Sequence, residues 1–209
     1  MSEDKNVVAR YTTGARINHW ITAISLILLA LSGMALFHPS LFFLTNLFGG
    51  GQATRAIHPW IGVVLAISFL GLFFRFFTLN FWKREDTVWM KNLGKVINNE
   101  EEGLPELGKY NAGQKLVFWG QSLLILLLFG SGIVLWDVYF EDYTTIDQKR
   151  LAAVVHALCA IGAILIWIVH VYAAIWVKGT LRAMTRGSVT RGWSWKHHRK
   201  WFRQEVKKS

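Results

Sequence analysis

Apolar positions in this chain run together in four blocks set apart by charge. Residues 17–54, 56–74, 116–136 and 151–177 contain no Asp, Glu, Lys or Arg, over 38, 19, 21 and 27 positions. A helix needs about 20 largely apolar residues to cross the hydrocarbon core, so the last three blocks predict one span each. The first block is too long for one span. His38-Pro39 and the run Gly49-Gly50-Gly51 break it, leaving a span and an interfacial loop. The predicted spans are about 17–37, 55–79, 113–136 and 151–177. Soluble cores rarely hold four such segments in about 200 residues, so the fold class is an all-α membrane protein, a four-transmembrane-helix bundle. Between spans two and three, 80–115 is the longest polar segment, with Glu100-Glu101-Glu102-Gly103 and Pro105 as a solvated turn. Trp60, Trp82 and Trp89 suit interfacial depth. No internal repeat or low-complexity tract stands out.

Charge gives the bundle an expected orientation. The net charge is +10, but 20 of the 23 Lys and Arg lie in 1–16, 75–115 and 178–209, against 3 in 38–55 and 137–150. By the positive-inside rule both termini are cytoplasmic, in a bacterial inner membrane. The basic excess is accounted for by topology and contact with anionic lipid, without nucleic acid. The chain is thus read as a cytoplasmic N-terminus, 1–16, without a cleavable-signal pattern. A membrane domain, 17–177, follows, and then a basic aromatic cytoplasmic tail, 178–209. In the tail Trp193, Trp195, Trp201 and Phe202 alternate with basic residues, as in an interfacial or partner-docking segment. The one cysteine, Cys159, allows no internal disulfide, and no Cys-x-x-Cys-His attaches a c-type haem.

Four histidines, His19, His58, His156 and His170, lie in or at the edges of the apolar cores. Ionisable residues in spans are costly, and neutral imidazole is a common metal ligand. His156 and His170 are 14 residues apart, about 21 Å along a helix and within 40° of one face. Height sorts the four into an inner pair, His19 with His170, and an outer pair, His58 with His156. Two imidazoles at each of two depths is what two stacked bis-histidine haems b require. Gly33 shares the face of His19 at the outer level and Gly62 lies one turn from His58, where missing side chains leave room for a macrocycle. His38 competes for the outer position. His58 is preferred because Pro59 suits a helix's first turn. His197 and His198 are expected to be exposed and remote. The rival reading is a haem-free anchor or small transporter, with histidines that relay protons or pack helices.

The run Lys109-Tyr110-Asn111-Ala112-Gly113-Gln114-Lys115 opens the third helix at the height of the inner pair. Asn111 can cap the helix, but the run holds more polar groups than a cap needs. A quinone head group, whose carbonyls need hydrogen-bond partners, is expected to bind here.

The chain resembles the cytochrome b (gamma) subunit of membrane-bound respiratory formate dehydrogenases over nearly its full length. The resemblance rests on Arg16-Ile17-Asn18-His19-Trp20, Ile57-His58-Pro59, the run Gly108 to Lys115, His156, and His170 with Trp176-Val177-Lys178-Gly179. Trp195-Lys196-His197-His198 and Trp201 also match, and the loop 137–150 matches least. The resemblance implies that His19 and His170 hold a cytoplasmic-side haem b, and His58 and His156 a periplasmic-side one. It implies a quinone pocket, for menaquinone or a relative, at Asn111, Gly113, Gln114 and His170. It implies as partners an iron–sulfur (beta) subunit and a molybdenum- or tungsten-containing catalytic (alpha) subunit on the periplasmic side. The chain would then carry electrons from formate oxidation to quinone, performing no formate chemistry itself. Related cytochromes b serve hydrogenases and other molybdenum oxidoreductases.

Overall fold

The computed structural model describes residues 6–98, 100 and 102–206. Asn99, Glu101 of the acidic turn, and 1–5 and 207–209 at the termini lie outside the described residues. Strand β1 (Val7–Ala9) leads into helix α1 (Thr13–Phe37), and a 3-10 helix over Pro39–Phe48 connects it to α2 (Gly51–Phe76). A 3-10 turn at Phe77–Asn80 precedes α3 (Arg84–Lys91) and α4 (Leu93–Ile97). Helix α5 (Ala112–Val134) is followed by α6 (Asp137–Phe140), a 3-10 turn at Glu141–Tyr143, and α7 (Ile146–Trp176). The chain closes with α8 (Thr180–Arg186), strand β2 (Ser188–Thr190), α9 (Arg191–His197) and α10 (Arg199–Val206).

Four helical segments are long and apolar enough to cross a membrane: Thr13–Phe37, Gly51–Asn80, Ala112–Val134 and Ile146–Trp176. The break expected after the first span is present. His38 caps the 3-10 helix through Nδ1, which accepts from the Ser40 N–H at 3.2 Å, and Pro39 fills its first turn. Gly49 and Gly50 then take left-handed backbone, φ 86° and 100°, which side chains disfavour. Because those glycines end the 3-10 segment, α2 starts at Gly51. Pro59 therefore lies inside the helix, and the first-turn argument for His58 is corrected: the histidine stands about two turns in. Helix α7 starts at Ile146, before the apolar block. Thr145 and Gln148 cap it reciprocally, the Thr145 N–H donating to Gln148 Oε1 at 2.8 Å and the Gln148 N–H to Thr145 Oγ1 at 3.3 Å.

The fold divides into two compact units. The first comprises Ile17–Phe73 and Gly120–Ile168. Its packing is inside-out relative to a soluble core. The buried positions are mostly small, Ser25, Ser32, Ala35, Ser68, Ser131, Ala152 and Ala163, while Ile24, Ile67, Leu126 and Leu165 face outward. Small residues let helix backbones approach in lipid, where large apolar side chains cost nothing to expose. At Gly71 a Cβ would stand 2.8 Å from Asn18 Nδ2, so the Asn18 side chain of α1 packs against bare backbone of α2. Thr22 donates to Ser68 Oγ at 3.0 Å across the same pair. Between α5 and α7, Gln121 Nε2 donates to the Ala163 carbonyl at 2.9 Å.

The second unit comprises the chain up to Arg16, Phe74–Trp119 and the chain from Val169 onward. Its nucleus is a small antiparallel sheet pairing Val7 with Thr190 and Ala9 with Ser188. Ala183, Val189, Trp193 and Trp201 are buried together against Val8 and Tyr11. A second cluster joins Trp89, Leu107 and Ala112. Two expectations change here. Trp193 and Trp201 are core residues of this folded unit, with Trp195 left exposed, and Trp89 is buried, whereas Trp60 and Trp82 are exposed as interfacial rings would be.

Candidate functional site

The clearest convergence of polar groups within the apolar helices is at His58 and His156, on α2 and α7. Their ring centres are 6.3 Å apart. Two imidazoles on opposite sides of one metal, each nitrogen about 2 Å from it, put their ring centres about 6 Å apart, so this spacing fits a shared iron. Each ring is held from a neighbouring helix by a serine. Ser32 Oγ on α1 is 2.7 Å from His58 Nδ1, and Ser131 Oγ on α5 is 2.9 Å from His156 Nδ1. With Nδ1 occupied, Nε2 is the nitrogen each ring can offer a metal. The next residue on each helix is glycine. A Cβ at Gly33 or Gly132 would stand 3.5 Å from Cε1 of His58 or His156 respectively, so the rings pack on bare backbone. Nothing comes within 4 Å of a Cβ at Gly62, leaving open space one turn from His58.

The sequence pointed to both histidines and to Gly33, and missed Ser32, Ser131 and Gly132. The signal is present: Ser-Gly recurs at 32–33 and 131–132, each pair on the membrane span that precedes the one carrying the histidine.

His19 lies on α1, edge-on to Trp20 with ring centres 5.7 Å apart. His170 lies on α7 in the other unit, so the pairing of His19 with His170 rests on helix position. His38 is committed to its cap. His198 overturns its expectation of exposure. It is 1% exposed, Nδ1–H donates to the Gly108 carbonyl at 2.7 Å, and Nε2 lies 3.3 Å from Arg10 Nη2. Burial, and then the Arg10 charge, push its pKa well below the usual imidazole value, so the ring is neutral and accepts from the guanidinium. Arg10 also donates to the Lys109 carbonyl and sits over the rings of Trp201 and Trp193, at 4.7 and 5.1 Å. Arg10 and His198 thus hold the loop that carries the polar run.

In that run, Asn111 and Gln114 form a reciprocal cap. The Gln114 N–H donates to Asn111 Oδ1 at 2.8 Å, and the Asn111 N–H to Gln114 Oε1 at 3.1 Å. The cap uses both side-chain oxygens. The amide nitrogens of the same side chains are donors, which is what carbonyl oxygens of a ligand require. A Cβ at Gly113 would lie 3.5 Å from the Trp89 ring. Tyr110 is held neutral, its pKa pushed well above the usual phenol value by burial and by Tyr11. At the end of the run, Lys115 forms a buried ion pair with Asp86, Nζ to Oδ2 2.6 Å, with Nζ also donating to the Phe81 carbonyl at 3.1 Å. Lys115 lies at the edge of the expected span, and nothing in the sequence alone marks Asp86 as its partner. A cleft of about 290 Å³ is lined by Lys83, Gly108, Tyr110, Lys115 and Trp201 among others. It touches the two ends of the run, and is lined by none of Asn111, Gly113, Gln114 and His170.

Four apolar spans with paired imidazoles inside them define a polytopic membrane protein of the cytochrome b kind. The chain belongs to the prokaryotic cytochrome b561 family, whose model matches residues 10–187. It is 43% identical to the formate dehydrogenase cytochrome b556(fdo) subunit of Escherichia coli K12, over 98% of this chain and 96% of that one. It is 36% identical to the nitrate-inducible formate dehydrogenase cytochrome b556(Fdn) subunit of the same strain, over 98% and 94%. It is also 36% identical to a formate dehydrogenase cytochrome b556 subunit of Haemophilus influenzae, over 99% and 86%. This is an integral membrane cytochrome b of the formate dehydrogenase type.

Proposed function

We propose that this chain is the dihaem subunit of a formate dehydrogenase complex. It carries electrons from a periplasmic iron–sulfur subunit across the inner membrane to a quinone near the cytoplasmic face. The observation that carries this reading is the His58–His156 spacing of 6.3 Å, each ring steadied through Nδ1. His58 and His156 would hold one haem b, and His19 and His170 a second. Bound haem iron would supply reversible one-electron chemistry there. The near-full-length similarity to formate dehydrogenase subunits supports formate over hydrogen as the upstream substrate, and a molybdenum- or tungsten-containing catalytic subunit as the further partner.

At the other end, Asn111, Gly113, Gln114 and His170 would bind the quinone, menaquinone or a relative. The reciprocal cap supports this by fixing the side-chain oxygens and leaving amide N–H groups to meet quinone carbonyls. Protons come from the basic cytoplasmic side assigned by the charge asymmetry. Each electron moved inward works against the membrane potential, at about 2.3 kcal/mol per 100 mV.

The test is haem reoxidation by an added oxidised menaquinone analogue in the intact complex after a formate pulse. Gln114→Leu and Asn111→Leu are expected to leave haem reduction by formate at its normal rate and slow reoxidation at least tenfold. Unchanged reoxidation in both would place the quinone elsewhere.

A further inference from the structure

Ser32 and Ser131 sit in matching places, and each does more than touch a ring. Ser32 Oγ is 2.7 Å from the Leu28 carbonyl as well as 2.7 Å from His58 Nδ1. Ser131 Oγ is 2.7 Å from the Leu127 carbonyl and 2.9 Å from His156 Nδ1. A hydroxyl has one proton, and a carbonyl has none to give. Two oxygens 2.7 Å apart without a proton between them would repel, so the hydroxyl proton points to the leucine carbonyl. The short Oγ–Nδ1 contact then needs its proton on Nδ1. In the other tautomer, with the proton on Nε2, both serines would face a bare Nδ1 with no proton left to share.

We infer that Ser32 and Ser131 are a matched pair of tautomer locks, which hold the Nε2 lone pairs of His58 and His156 toward a metal and set the electron-donating strength of both rings. The inference rests on the reading of these two histidines as ligands of one haem. Each serine acts through its histidine and is a positioning residue. The adjoining Gly33 and Gly132 belong to the same device, since each lets its ring come against backbone within reach of the preceding hydroxyl.

The chemistry fixes the direction. An Nδ1–H···O bond makes an imidazole a stronger donor to the metal, and a stronger donor favours ferric over ferrous iron. Removing the hydroxyl oxygen weakens that preference and raises the potential of the outer haem. Outer-shell partners of metal ligands are commonly worth 10–100-fold in affinity. A tenfold loss confined to the ferric state is about 59 mV for one electron.

The experiment is a redox titration of both haems in the full complex for Ser32→Ala, Ser131→Ala and the double variant. Ser32→Thr and Ser131→Thr, which keep the hydroxyl, serve as rescue, and His58→Ala and His156→Ala as reference. The expected result is an upward shift of one haem alone, by about 59 mV or more in the double variant, with threonine restoring the original value. The shifted haem is the one lost in His58→Ala. Unmoved potentials in all three alanine variants, with that haem still lost in both histidine variants, would overturn the lock and leave the ligands standing. Retention of both haems in His58→Ala and His156→Ala would remove the ligand reading and the lock with it. A packing role alone would lower haem occupancy without moving the potential of the haem that remains, and that outcome also overturns the lock.

Discussion

Asp86 and Lys115 show how much a single side chain can hold in place. Asp86 Oδ2 takes both the Lys115 ammonium at 2.6 Å and the Lys83 backbone N–H at 2.7 Å, with the carboxylate fully buried. Taking away one member of a buried pair strands the other charge, typically at about 3–5 kcal/mol, while replacing both with apolar residues is often neutral. Asp86→Ala is therefore expected to lower the thermal unfolding midpoint markedly, and Asp86→Leu with Lys115→Met to recover most of the loss. A double variant no more stable than Asp86→Ala would contradict the pairing. At this scale the sequence was uneven in what it showed. Histidines in apolar helices are conspicuous because they are costly there. Ser32, Ser131 and Asp86 are ordinary residues for their surroundings, and only proximity to a partner distant in the chain gives them meaning.

Elements were legible where one property decides them. The spans follow from apolar length, and the break after Phe37 from Pro39 and paired left-handed glycines. Helix starts were less legible, since α2 and α7 begin in polar sequence, where local caps and not hydropathy set the boundary. The β1–β2 ribbon was invisible because its strands are three residues each and nearly the whole chain separates them. Its closure depends on Gly187, with φ 78° and its carbonyl accepting the N–H groups of Arg10 and Tyr11 at 2.8 and 3.0 Å. A Cβ there would come 2.7 Å from the Tyr11 carbonyl oxygen. Left-handed backbone alone costs an L-residue about 1–2 kcal/mol, before any clash. Gly187→Ala is expected to raise amide exchange across Val7–Ala9 and Ser188–Thr190 while leaving α5 and α7 protected. Unchanged exchange in both strands would contradict this account of the ribbon.

For the whole molecule, the basic and aromatic tail reads as a surface segment until the fold shows what its rings cover. Arg10, Gly108 and His198 come from three stretches far apart in the chain, and together they hold the loop that leads into Asn111 and the start of α5. That joint carries a pH dependence. The folded His198 ring stays neutral, whereas an unfolded one takes up a proton as pH falls through about 6.5. The unfolded state then binds more protons, so stability of this unit declines as pH falls below that value. Amide protection factors over residues 188–206, which correct for the base-catalysed intrinsic exchange rate, are expected to fall from pH 7.5 to 5.5, and His198→Phe to flatten that dependence. Equal slopes in the two proteins would contradict it. The central claim concerns the four span histidines, and the reduced-minus-oxidised spectrum of the purified chain, with haem counted against protein, tests it most directly. Two haems b per chain are expected, with His58→Ala and His156→Ala losing one and the same haem, and His19→Ala and His170→Ala losing the other. A correctly inserted but colourless protein, or variants that lose haem in any other pairing, would contradict it.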